Sequence, residues 1–130
     1  MSVKAFVVED NPAIRESLVE TLAELADVDT RGVAGNQKDA VAWLTEASND
    51  WDLAIVDLVL EPGGNGFGVL KAVQDRQGGR KVVVLTGSAS PDVRLQCEAL
   101  GADNVFDKSI DTEALIDYCR DLGGRGRMQE

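Results

Sequence analysis

Leu53-Ala54-Ile55-Val56-Asp57 is the stretch that decides the fold. Four apolar residues run straight into an aspartate, and the Gly-rich loop Glu61-Pro62-Gly63-Gly64-Asn65-Gly66 follows shortly after. A short continuous apolar run predicts a strand buried on both faces, as in parallel α/β sheets. Asp57 then stands where that strand ends, and in open α/β sheets the carboxyl ends of the strands face the functional crevice. One aspartate at a strand end is an ordinary turn residue. It becomes a candidate site only if other polar residues close equivalent strands.

Working outward, the same pattern recurs. Val3 to Val8 reads as a buried strand ending at Glu9-Asp10, with Asn11 and Pro12 as the N-cap and first residue of a helix. Ile14, Leu18, Leu22 and Leu25 mark the apolar face expected for that helix. Val28 to Ala34 is more polar and predicts an edge strand. A helix from Asn36, with Ala40, Leu44 and Ala47 inward, is expected to end near Ser48-Asn49. Beyond the glycine loop, Phe67, Leu70 and Val73 begin a third helix, closed by Gly78-Gly79. Lys81 to Leu85 is a strand that ends at Thr86. Ser90-Pro91 starts a fourth helix with Val93, Cys97 and Leu100 on one stripe, and Gly101 stops it. Asn104 to Asp107 is a short strand before Lys108, and a last helix from Asp111 carries Leu115, Tyr118, Cys119 and Leu122. Residues 1–122 thus read as one domain, and 123–130, with Gly123-Gly124-Arg125-Gly126-Arg127, as a flexible tail. Strands alternating with helices at this spacing predict right-handed βαβ units and one parallel sheet covered on both faces.

Composition narrows the chemistry. The chain has 130 residues, 44% hydrophobic and 28% charged, in the range of an ordinary globular domain. A net charge of −10 argues against direct nucleic-acid binding, which needs clustered positive charge. No apolar run approaches the roughly 20 residues of a membrane span, and no signal-peptide layout opens the chain, so a cytoplasmic location is expected. Histidine is absent, which removes the usual general base and the commonest transition-metal ligand. Cys97 and Cys119 lie within helical patterns without CxxC spacing and are expected to be buried free thiols.

Glu9-Asp10, Asp57, Thr86 and Lys108 close strands one, three, four and five, and in a doubly wound sheet those ends share one rim. Crowded carboxylates repel and raise one another's pKa unless a hard cation such as Mg²⁺ offsets them. A carboxylate nucleophile, a cation, an ammonium and a hydroxyl together suit phosphoryl transfer. This ordered set, with small Gly87 after Thr86 and Ala102-Asp103 ahead of Lys108, resembles the receiver domains of two-component response regulators, the chemotaxis type included, from Val3 to about Leu122.

The resemblance implies a flavodoxin-like five-stranded sheet of order 2-1-3-4-5 with five helices. It implies that Asp57 accepts a phosphoryl group from a histidine kinase or histidine phosphotransfer protein. Asp10, Asp57 and the Val59 carbonyl would hold Mg²⁺, with Glu9 acting through water, while Lys108 contacts the acyl phosphate and Thr86 swings toward it. The output would be a switched surface that binds a downstream protein target, and the only catalysis would be the domain's own phosphoryl transfer and dephosphorylation. A degenerate receiver, acting as a phosphorylation-independent interaction module, is the alternative. Two further readings are weaker. Gly64-Asn65-Gly66-Phe67-Gly68 is GxGxG after the third strand rather than a dinucleotide fingerprint after the first, and Asp57-Leu58-Val59 lacks the second carboxylate of an aspartate-dependent phosphatase.

Three positions depart from the family pattern. The usual aromatic three residues before the lysine is Val105, followed by Phe106; Ser109 replaces the proline after Lys108; and Glu61-Pro62 places the loop proline one residue late. Val105 is too small and too stiff at χ1 to report the movement of Thr86, so a modest response of strand five is expected.

Overall fold

Continuous apolar runs build the interior strands, and each sends alternate side chains to opposite faces of one sheet. The computed structural model describes residues 2–60, 63–76 and 78–128. The strands are β1 (Val3–Val8), β2 (Val28–Ala34), β3 (Leu53–Val56), β4 (Lys81–Thr86) and β5 (Asn104–Asp107). They pair in parallel in the order β2-β1-β3-β4-β5, the arrangement expected of a flavodoxin-like doubly wound sheet. Helices α1 (Pro12–Ala26), α2 (Gln37–Leu44), α3 (Gly66–Ala72), α4 (Pro91–Ala99) and α5 (Thr112–Met128) alternate with them.

Two apolar clusters follow from that alternation. Phe6, Val8, Val56, Val82, Val84 and Val105 face α2, α3 and α4, where Ala40, Leu44, Val69, Leu70 and Cys97 complete the packing. Ala5, Leu53, Ile55, Val83, Leu85 and Phe106 face α1 and α5, with Leu22, Ala26, Leu115, Ile116 and Cys119. Burying each such aliphatic side chain contributes roughly 1.5–3 kcal/mol, which makes the sheet the rigid part on which strand-end residues can be held. As expected, β2 is an edge, and it carries an irregularity: Ala5 pairs with Thr30 but Phe6 with Gly32. Gly32 gives room there for Phe6 to stack on Trp43, with centroids 4.4 Å apart.

The helix faces depart from the sequence reading in three places. In α1 the inward line is Leu18, Leu22 and Ala26, while Ile14 and Leu25 are 44% and 47% exposed. Positions 18, 22 and 26 stand four apart on one side, and the small Ala26 sits in the cluster with Val3 and Val28. Helix α2 ends at Leu44 rather than near Ser48-Asn49, and Ala47 is exposed. Its last carbonyls are taken by Thr45 Oγ1 on Val41 (2.6 Å), Asn49 Nδ2 on Trp43 (2.9 Å) and Trp51 Nε1 on Leu44 (3.3 Å). Finally, α5 runs through Gly123-Gly124 to Met128, where a flexible tail from residue 123 is the expectation. Leu122 packs against the α1/α5 cluster and Arg120 Nε holds Leu25 O at 2.6 Å, so the helix is anchored just ahead of the two glycines. Residues 129 and 130 lie outside the described residues, as does the late loop proline, Pro62, with Glu61.

Candidate functional site: an acidic rim with a lysine

Each site residue is placed by the end of a strand. Glu9 and Asp57 continue the sheet one step past β1 and β3, their N–H groups donating to Ala34 O and Val8 O at 3.0 Å each. Thr86 is the last residue of β4, and its carbonyl accepts the Lys108 N–H (3.0 Å), which ties the ends of β4 and β5 together. Asn11 then turns the chain out of β1 by accepting the N–H groups of Ala13 and Ile14, with Pro12 preset at the first helical position.

The charged groups meet. Lys108 Nζ lies 2.7 Å from Asp57 Oδ2 and 2.5 Å from Glu9 Oε1. Glu9 and Asp57 are 3% and 6% exposed, and Thr86 is fully buried. Carboxylate oxygens of Glu9, Asp10 and Asp57 lie within 4.8 Å of one another. Asn11 N–H supports Glu9 Oε2 at 3.1 Å, and Val59 N–H supports Asp57 Oδ1 at 3.3 Å. Thr86 Oγ1 accepts the Ser88 N–H at 3.2 Å. Val59 stands on the turn after Asp57, bridged to Asn65, with its side chain turned outward.

Burial raises the Glu9 pKa above its ordinary value, with Asp10 and Asp57 adding to the rise and Lys108 and Asn11 opposing it. For Lys108, burial is the largest single influence and would lower the pKa. The hydrogen bonds and charges of Asp57 and Glu9 together outweigh it, and the ammonium is held above the ordinary lysine value. Among the described residues, three carboxylates against one ammonium leave a formal excess of two negative charges, with oxygen as the only donor type. That donor set fits a hard divalent cation such as Mg²⁺ and not a soft metal.

The glycine motif has a steric role. A Cβ on Gly66 would overlap the Asp57 carbonyl oxygen, and one on Gly68 would overlap the Gln37 amide. Gln37 Oε1 accepts the Asn65 N–H at 3.0 Å, and Asn65 caps α3 on Gly68 N–H. The motif thus brings the start of α3 against the end of β3 and α2, and no phosphate cradle is needed to explain it.

Sequence reasoning missed the residues that support the rim through backbone atoms. Arg15 Nη1 donates to Glu9 O at 2.9 Å, and Arg94 Nη1 donates to Val105 O at 2.8 Å. Neither contact involves a side-chain partner, so no pairing of residue types announces it. Phe106 turns away from Thr86 and Val105 to the α1/α5 side, where it meets Tyr118 edge-on with centroids 5.7 Å apart.

Comparison with known proteins agrees with this fold. The response regulator receiver domain model matches residues 5–120. The DNA-binding transcriptional activator DevR/DosR of Mycobacterium tuberculosis is 30% identical over 121 residues, covering 93% of this chain and 54% of that protein. The response regulator protein PilR of Pseudomonas aeruginosa is 35% identical over 108 residues, 83% of this chain and 23% of PilR. The chain therefore spans about half, or less, of the length of these curated relatives. Among solved structures, the Francisella response regulator 1452 receiver domain superposes with a TM-score of 0.81 at 22% identity, covering 96% of this chain and 99% of that one. The phosphorylated cyanobacterial phytochrome response regulator RcpA gives 0.74 at 25% identity, covering 94% and 91%.

Proposed function

The chain belongs to the response regulator receiver domain family, and from that premise we propose that it accepts a phosphoryl group on Asp57 from a phosphohistidine of a histidine kinase or histidine phosphotransfer protein. The observation that carries this reading is the convergence of Lys108 on Asp57 and Glu9 at one rim, across 51 and 99 residues of sequence. A carboxylate oxygen of Asp57 attacks phosphorus, the P–N bond to the donor imidazole breaks, and an acyl phosphate is left on Asp57. The Lys108 ammonium, already at hydrogen-bond distance, holds a phosphoryl oxygen, and the buried Thr86 hydroxyl moves from its loop contact to donate to another. Glu9, Asp10, Asp57 and the Val59 carbonyl are the groups we assign to Mg²⁺, with Glu9 acting through water. The ion, when bound, would neutralise charge on the transferring oxygens. That RcpA is solved in a phosphorylated form supports the phosphoacceptor reading.

The donor needs a way in beside Lys108. A largely apolar groove of about 460 Å³ runs there between α1 and α5, lined by Ile14, Leu18, Leu85, Lys108 and Thr112 among others. The exposed Ile14, unexplained as a core residue, suits a docking helix of the phosphodonor protein. No helix among the described residues is long and apolar enough to cross a membrane. We place the domain in the cytoplasm, catalysing only its own phosphorylation and dephosphorylation and signalling to a downstream protein target. The chain itself would not bind nucleic acid, given its charge of −10.

The test is phosphate uptake from a small donor such as acetyl phosphate, followed by intact-protein mass spectrometry. Wild type should gain one acid-labile phosphate in a Mg²⁺-dependent manner, and Asp57→Asn, isosteric but not nucleophilic, should gain none. Equal uptake by the variant would move the acceptor elsewhere. No uptake by the wild type, with or without Mg²⁺, would favour a phosphorylation-independent interaction module.

A further inference from the structure

Building on the phosphoacceptor reading, we infer that Arg94 is the coupling residue that carries the state of the Thr86 loop to β5 and the start of α5. Arg94 lies in the first turns of α4, and its guanidinium touches three segments. Nε points at Ala89 O (3.4 Å) in the loop that follows Thr86, Nη1 donates to Val105 O (2.8 Å), and Nη2 faces Asp111 Oδ2 (3.6 Å) ahead of α5. The same Asp111 oxygen accepts the Asp107 N–H at 2.9 Å. One planar fork therefore bridges the β4–α4 loop to both backbone flanks of the strand end that bears Lys108.

Among the described residues, neither side chain at the end of β5 offers an equivalent polar path. Val105 is buried on the α4 side of the sheet, but its short side chain has no polar atom to exchange with Thr86. Phe106 faces the other side and is engaged with Tyr118. The direct ties between the two strands, their ladder and Lys108 N–H to Thr86 O, join backbone atoms held in the sheet. The loop is tied to the hydroxyl: Thr86 Oγ1 now accepts the Ser88 N–H, and an oxygen that moves toward a phosphoryl group draws that N–H with it or gives it up. Any shift of Ser88 and Ala89 that follows alters the acceptor at Arg94 Nε. Because the guanidinium is one rigid plane, its hold on Val105 O and Asp111 changes with it. Arg94 is partly exposed, so its rearrangement also changes the surface next to Leu95 and Ile110, which are 64% and 78% exposed.

The experiment compares amide NMR shifts with and without beryllofluoride, a phosphoryl mimic, in wild type, Arg94→Met and Asp111→Asn. Methionine keeps the length of the side chain but has no donors, and asparagine keeps an acceptor for the Asp107 N–H while losing the charge. In wild type, shifts should appear around Asp57, in the loop from Gly87 to Ser90 and in Val105 to Glu113. In Arg94→Met the first two groups should persist while the third falls by about half or more, since a smaller differential interaction gives a smaller population shift. Asp111→Asn should show a lesser loss in the same segment. A clamp with a structural role alone would lower the melting temperature and leave the induced shifts as in wild type, and that result overturns the inference. If the wild type shows no induced shift around Asp57, the phosphoacceptor reading itself fails. If it shifts around Asp57 and in the loop while Val105 to Glu113 stay still, the coupling alone fails.

Discussion

Replacing Lys108 by methionine tests how the rim is held together. The side chains of Glu9 and Asp57 are 5% and 8% exposed and that of Lys108 is 26% exposed, so the variant leaves two buried carboxylates facing each other. Removing one partner of a buried ion pair costs about 3–5 kcal/mol, and the low end applies here because Lys108 is partly solvated and Glu9 can take up a proton. At roughly 3–4 °C per kcal/mol for a domain of this size, the variant should melt about 10 °C below wild type in EDTA at neutral pH. The deficit should depend on pH in one direction. The raised folded pKa of Glu9 rises further without the ammonium, so protonation favours the folded variant below the unfolded value of 4.5. That stability is lost as pH climbs through the folded pKa. Lys108 in wild type has a raised folded pKa, so its contribution is complete below 10.5 and constant across the range used. The gap between the two proteins should therefore narrow from neutral pH down to about pH 5. Saturating Mg²⁺ should raise the variant's melting temperature more than that of wild type, because it meets a cluster with one more negative charge. Differential scanning calorimetry in EDTA and in excess Mg²⁺ reads all three effects. Equal melting temperatures in EDTA, or a gap that widens on acidification, would refute the picture of a lysine offsetting buried charge.

Two further outcomes follow from steric and burial arguments. Gly66→Ala pushes a methyl group into the Asp57 carbonyl and the Leu58 backbone, where nothing flexible can yield; it should cost about 3 kcal/mol or more, measured by urea unfolding, and stability close to wild type would show that α3 can retreat. Burial pushes the Cys119 thiol up to about 12 and raises that of Cys97, so the thiolate population of both is small near pH 8. Neither should react with a thiolate-selective reagent in the native protein, and both should react in denaturant. Rapid native labelling of either would mean that α4 or α5 opens locally.

Much of this molecule was legible in its residues, and the reasons differ by part. The interior strands could be read because runs such as Leu53-Ala54-Ile55-Val56 and Lys81 to Leu85 are too continuous for a half-exposed sheet. The rim could be read because a sheet gathers its strand ends whatever lies between them, so Glu9, Asp57 and Lys108 needed only correct strand boundaries to be brought together. Helix ends were harder. Helix α2 stops where Asn49 and Trp51 reach back to its carbonyls, and those are tertiary contacts that no window of sequence contains. In α1 a period of 3.6 cannot choose between Leu25 and Ala26, and packing on Val3 and Val28 decides for the smaller residue.

The β4–α4 region shows where reading by side-chain type runs out. Val105 in place of an aromatic predicts a muted strand-five response on side-chain grounds alone. Strand alternation alone is enough to remove Phe106 as a substitute, since neighbours in a strand point to opposite faces. What the sequence could not indicate is that an arginine on α4 would find its partners among backbone carbonyls, at Ala89 and Val105, with Asp111 beyond them. Every residue presents a carbonyl, so a carbonyl leaves no trace in the order of residue types. A missing side chain therefore does not imply a missing connection when the sheet lets a long, planar donor bridge the same gap from the neighbouring helix. In the coupling inferred above, the response of the β5 surface to Asp57 rests on Arg94 rather than on the residue at 105.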